Sequence, residues 1–374
     1  MKDEARSAAP IFDPARLRLA RESRGLLKSR LAQLVQVTPA AIGQFESGAA
    51  KPSAATLAQI ALALDYPPRF FAFSGESRAQ RTISDTFFRS LRSARQAELL
   101  KAVAYATLVH DVVGKLEERV SFPRLDLPTD LHVDASTGKV EIEEIAQTLR
   151  ELWALPPGPI PHVVRLLELH GIVVTRYRAD SARLDAFSQP FGDRPIVVLG
   201  DDKGAADRSR LDAAHELGHL VMHPDPQPGD RTLESQANRF AAAFLMPRRE
   251  IIDSLPKRRV DWIEMVTLKR KWGVSIGALL YRAHDLGRLE PAAYENAMKT
   301  MSRHGWRKQE PGSLGASEKP QLLAKALEAL ATIGFGVADL AAEMRLSEAT
   351  LREILGVCDA GAQRVPLRLA DDTS

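Results

Sequence analysis

The chain has 374 residues, of which 45% are hydrophobic and 26% charged, with a formal net charge of +3. That is a globular composition in a chain too long for one ordinary core, so two or three domains are expected. The single cysteine, Cys358, excludes an internal disulfide framework, and no apolar run is long enough to span a bilayer.

The opening segment MKDEARSAAPIFDP has no apolar stretch of the kind a secretory signal carries, so a cytoplasmic location is expected. Residues 1–13 read as a loose tail. From 14 to 73 short helices alternate with tight turns. Arg16, Arg18, Arg21, Arg24, Lys28 and Arg30 crowd this stretch against Glu22 alone, an excess suited to a phosphate backbone. Residues 29–36 predict a short helix. Thr38 is a suitable N-cap for the next, with Pro39 at its first position and Gly48 after its end. Leu31, Ala32, Val37, Ile42 and Phe45 have the spacing of a helix-turn-helix core. Ser53 caps a further helix with Leu57, Ile60, Ala61 and Leu64 on one face.

This pattern resembles the XRE/lambda-repressor class of DNA-binding domains. The resemblance implies that helix 39–47 reads double-stranded DNA, with Ala40, Ala41 and Gln44 toward base edges. Lys28, Ser29 and Thr38 would then meet phosphates. A homodimer is suggested by the habit of such readers to bind paired half-sites. Two positions depart from the pattern: Gln36 stands where the turn often has glycine, and Lys28 where the second helix usually starts with a polar residue.

A Ser/Gly/Arg-containing stretch near 74–85 reads as a linker, followed by an Ala/Leu-rich helical linker over 86–122. Residues 121–139, broken by proline and glycine, mark a boundary. Helical patterns follow at 140–153 and 161–170, then β-rich runs at 171–177, 183–188 and 194–200. Helices resume at 205–222, 232–246, 261–272 and 275–286, making 140–290 an α+β domain with a small sheet. After a break at 307–317 comes a C-terminal helical region, 318–356.

The most informative string is His215-Glu216-Leu217-Gly218-His219. Histidines four apart on a helix lie about 40° apart around its axis, so both imidazoles project from one face, and neutral imidazole is a good Zn²⁺ ligand. Glu216, about 100° round, sits where a carboxylate can take a proton from an attacking water. A catalytic zinc needs a third protein ligand. Glu234, at the start of a second helix ended by Pro247, is one candidate; His223, Asp225 and Asp230 compete.

These residues, with Arg208 to Ala214 before them and Glu234-Ser-Gln-Ala-Asn238 through Leu245-Met-Pro247 after them, resemble the ImmA/IrrE-type metallopeptidases over about 140–290. The resemblance implies a zincin-like fold, His215, His219 and Glu234 as zinc ligands, and Glu216 as general base. It implies hydrolysis of a regulatory protein, a helix-turn-helix repressor of a stress or mobile-element circuit. The alternatives are a non-cleaving sensor and a binding-only antitoxin or antirepressor. Residues 194–199 are a candidate edge strand for substrate. Arg208, Arg210, Tyr281, Arg282 and His223 are candidate oxyanion partners. Finally, 339–356 repeats the spacing of 30–48, but Glu348 and Glu353 lie where a reading helix would meet DNA. A protein-facing copy or plain helical packing is expected there.

Overall fold

A computed structural model of the protein describes residues 1–72, the backbone of 87–88, and 96–177, 186–192, 194–200, 206–224 and 230–356. The first residues are helical rather than loose: α1 spans Lys2–Ala8 and a 3₁₀ turn follows at Ala9–Ile11. Ala5, Ala8 and Phe12 form one buried face, which packs on α5 (Ala54–Leu64) and the 3₁₀ turn Pro68–Ala72. Three apolar residues are too few to specify a helix alone; tertiary cover completes it.

The segment expected to read DNA, hereafter the reader, is built from α2 (Pro14–Ser23), α3 (Lys28–Leu34), α4 (Pro39–Ser47) and α5. Asp13, Thr38 and Ser53 cap three of these helices with their side chains. Leu17, Leu31, Ile42, Leu57 and Ile60 fill the core. At the turn between α3 and α4, Gln36 adopts φ of 53°, the left-handed conformation that glycine would supply without strain. The Val37 N–H closes the turn on the Ala32 carbonyl at 3.0 Å.

Arg21 on α2 and Glu46 on α4 form a buried ion pair, their side chains only 5% and 4% exposed. Arg21 also donates to the Leu26 carbonyl at 2.7 Å, and the Lys28 ammonium lies 3.3 Å from Glu46.

Residues 73–86, which include the whole of the linker expected near 74–85, lie outside the described residues. Phe87–Phe88 forms a two-residue strand, β1, and α6 runs from Gln96 to Glu117. Of the segment expected as a helical linker, the described helix α6 is therefore core, while residues 86 and 89–95 lie outside the described residues. α6 packs against α2 and, through the Tyr105 hydroxyl, touches Thr175 Oγ1 at 2.9 Å and donates to the carbonyls of Arg176 at 3.0 Å and Ile354 at 3.2 Å. Arg16 on α2 bonds Asp111 on α6 at 2.9 Å.

The next elements are α7 (Lys139–Leu152), α8 (Val163–Leu169), β2 (Val173–Tyr177), β3 (Ala186–Gln189), β4 (Ile196–Gly200), α9 (Ala206–Met222) and α10 (Arg231–Leu245). Then come α11 (Arg248–Ile251), α12 (Trp262–Trp272), α13 (Ile276–Asp285) and α14 (Pro291–Arg303). The sheet order is β1-β3-β4-β2, with β2 and β4 parallel and the other pairs antiparallel. β4, expected as an edge strand, is thus interior: its apolar run Ile196 to Leu199 is buried on both faces, the pattern of a central strand. Val173, Phe187, Ile196 and Val198 belong to the hydrophobic cluster of α6, while Val174, Ala186, Val197 and Leu199 belong to that of α9 and α10.

Of the C-terminal helices α15 (Leu322–Ala331), α16 (Val337–Glu343) and α17 (Glu348–Leu355), α15 and α17 pack on α6, and Glu343 of α16 lies 3.7 Å from Lys115 of α6. Glu168 accepts from the first N–H groups of α15, Gln321 and Leu322. The pair α16–α17 repeats α3–α4 in backbone detail: Arg345 takes φ of 55° where Gln36 does, Ser347 caps as Thr38 does, and Gly356 ends the helix as Gly48 does. This copy faces protein, with Arg345 donating to the Ala72 carbonyl at 2.9 Å. Among the described residues no helix is long and apolar enough to cross a membrane.

Replacing Glu46 with alanine leaves the buried Arg21 charge to Glu22 alone, 3.2 Å away. The expected cost is about 1–3 kcal/mol of stability in this domain, measured by chemical denaturation.

Candidate metal centre

The site rests on the packing of α9 against α10. Gly218 makes their close approach possible: a Cβ there would lie 2.8 Å from Cδ1 of Phe240 on α10. α9 is fixed at its other end by Arg210, which is buried, ion-paired with Glu318 and bonded to the carbonyl of Gly273 at 2.9 Å. Lys269 bonds Asp207 of α9 at 2.6 Å and Glu310 at 2.8 Å. α10 starts at Asp230, whose carboxylate caps the N–H groups of Thr232 and Leu233.

On this frame the Nε2 atoms of His215 and His219 are 3.1 Å apart. Glu234 approaches them with Oε2 3.4 Å from His215 and Oε1 3.5 Å from His219. A zinc tetrahedron with bonds of about 2.0–2.1 Å has edges of about 3.3 Å, so this donor spacing fits that ion. The donor chemistry fits as well. The Glu234 carbonyl can only accept, so it takes the Asn238 amide N–H at 2.8 Å and turns Oδ1 toward His215 Nδ1 at 3.2 Å. Nδ1 of His215 therefore carries the ring hydrogen, and Nε2 presents its lone pair to the cluster. Against the opposing effect of burial, His215 and His219, when protonated, donate to Glu234 from Nε2 and lower its carboxyl to about 2.

Glu216 is wholly buried beside this cluster and accepts a 2.7 Å hydrogen bond at Oε2 from Ser188 of β3. Of the competing ligands, Asp230 is the helix cap and Asp225 lies outside the described residues. His223 stands behind His219 rather than in the donor triangle, Nδ1 to Nδ1 at 3.0 Å. Burial foremost, then the charge of His219, lowers it to about 4. Among the expected oxyanion partners, Arg210 braces the fold, and Arg282 is wholly buried, paired with Glu143 and donating to the Met246 carbonyl at 3.0 Å. Arg208 is exposed on α9, and Tyr281 is half-buried on α13.

In the reader, Lys28, Ser29, Thr38, Ala40 and Gln44 are exposed and Ala41 is half-buried. The Thr38 hydroxyl accepts from the Ala41 N–H at 3.1 Å, which leaves its own proton to donate outward. Ser188 and Gln236 were not singled out from sequence; a serine in a β-rich run and a glutamine in an amphipathic helix carry no metal signature.

Residues 17–71 match the family model for a helix-turn-helix, and residues 167–284 match that of peptidase family M78, the IrrE N-terminal-like domain. The chain joins a helix-turn-helix domain to an IrrE-type domain. Among curated proteins none matches it. The IrrE-type match includes β2 to β4, α9 and α10, hence every element that brings His215, His219, Glu234, Glu216 and Ser188 together.

Gly218→Ala is expected to force α9 and α10 apart. It should cost about 1–3 kcal/mol by overpacking, read as a lower midpoint in denaturant, and should weaken zinc binding by displacing Glu234.

Proposed function

We propose that the protein is a DNA-binding transcriptional regulator with zinc-dependent endopeptidase activity, acting on a helix-turn-helix repressor or similar regulatory protein in a stress or mobile-element response. The observation that carries this reading is the triangle of His215, His219 and Glu234, spaced 3.1 to 3.5 Å apart beside the buried carboxylate of Glu216. Bound zinc would polarise the scissile carbonyl and lower the pKa of water to around 7.

Glu216 takes the proton of the attacking water and returns it to the leaving amine. Ser188 holds Oε2 of that carboxylate, which limits its rotation and keeps it beside the histidines. Ser188 also makes β3 the strand nearest the reacting groups. The reader brings the peptidase to DNA: Gln44 reads a base edge, while Lys28, Ser29 and Thr38 hold phosphates.

Glu216→Gln separates the functions. In cells co-expressing a candidate repressor, fragments should vanish while zinc content and operator binding persist. A regulatory response that survives this substitution would remove the peptidase from the biology. For the reader, electrophoretic shift should weaken steeply between about 50 and 200 mM salt. Lys28→Ala should flatten that slope by about one, whereas Gln44→Ala should relax sequence preference.

A further inference from the structure

His223 lies four residues beyond His219, and its role follows from a chain of hydrogen bonds whose directions are all fixed from one end. The Asp134 carbonyl is acceptor-only and lies 2.7 Å from Gln236 Nε2, so the Gln236 amide donates there. That turns Gln236 Oε1 toward His223 Nε2, at 3.1 Å, where it can only accept. His223 therefore carries its hydrogen on Nε2, and its Nδ1 is the acceptor. The ring atom facing that acceptor is Nδ1 of His219, 3.0 Å away, which must donate. With the hydrogen on Nδ1, the lone pair of His219 is on Nε2, the atom 3.1 Å from His215 Nε2 and 3.5 Å from Glu234.

We infer that His223 is a positioning residue for zinc: it selects the His219 tautomer that binds through Nε2 and fixes the plane of that ring. This rests on the zinc reading above. The relay mirrors the one behind His215, where Asn238 does the same with its carboxamide. Both outer partners are anchored on α10, the helix that also carries Glu234. A single helix thus supplies the third donor and orients the other two. Gln236 and His223 are buried, 4% and 3% exposed, so water does not compete for the acceptor positions.

A histidine placed only to fill space would be replaceable by any apolar side chain; a tautomer selector is not. His223→Leu removes the acceptor. His223→Asn restores one, because the amide oxygen of asparagine stands where the imidazole Nδ1 stood. Zinc affinity, measured on the full chain by competition with a chromophoric chelator, should fall about 10–100-fold with His223→Leu and recover most of that loss with His223→Asn. Gln236→Leu, which leaves both histidines in place, should weaken zinc in the same direction and serves if the His223→Leu protein does not fold. The visible bands of the cobalt-substituted protein should shift with His223→Leu and return with His223→Asn. Unchanged affinity in both His223→Leu and Gln236→Leu, or asparagine no better than leucine at this position, would overturn the assignment. Parent protein that binds no zinc would instead remove the metal reading on which it stands.

Discussion

The candidate metal centre depends on how closely two helices can pack. Histidines four apart on α9 fix two donors by backbone geometry alone, but the third, Glu234, belongs to α10. It reaches them because Gly218 presents no side chain to Phe240. The same approach brings Asn238 to His215 and Gln236 to His223. One small residue inside the histidine motif thus decides whether His215, His219, Glu234 and their outer partners share one site.

A second constraint is the long helix between the reader and the sheet. α6 is shared: its apolar side belongs to one hydrophobic cluster that includes the reader core, one face of the sheet and the C-terminal helices. The other face of the sheet belongs to the cluster of α9 and α10. The sheet is therefore a wall between two cores, with the helix-turn-helix domain behind it and the His215–His219–Glu234 cluster in front. Residues such as Tyr105, whose hydroxyl touches β2 and α17 together, tie α6, the sheet and the C-terminal helices into one packed body. The helix-turn-helix copy near the C-terminus has been absorbed into this body. Glu348 and Glu353 at its surface would repel phosphate, while Arg345 in its turn grips the end of the reader.

The buried ion pairs serve placement. Arg210 joins α9 to Glu318, and Arg282 joins α13 to α7 through Glu143. Such pairs contribute more to a defined arrangement than to net stability, because the cost of desolvating both charges offsets most of their attraction.

By itself the sequence determined the local chemistry. The i, i+4 histidines with Glu216, the caps at Thr38 and Ser53, and the apolar spacing of α3 to α5 were all legible, because helix geometry converts spacing directly into a shared face. Glu234 could be nominated by resemblance but not chosen over Asp230 by spacing, since both sit near the start of one helix. Tertiary structure alone decided the rest. β4 became an interior strand through the pairing of β3 on one side and β2 on the other, and strand order leaves no trace in a short apolar run. α1 formed because three apolar residues found α5. Ser188 met Glu216, and Gln236 met His223, across distances in the chain that no periodicity links. Their partners were set by packing, and packing is a property of the assembled chain.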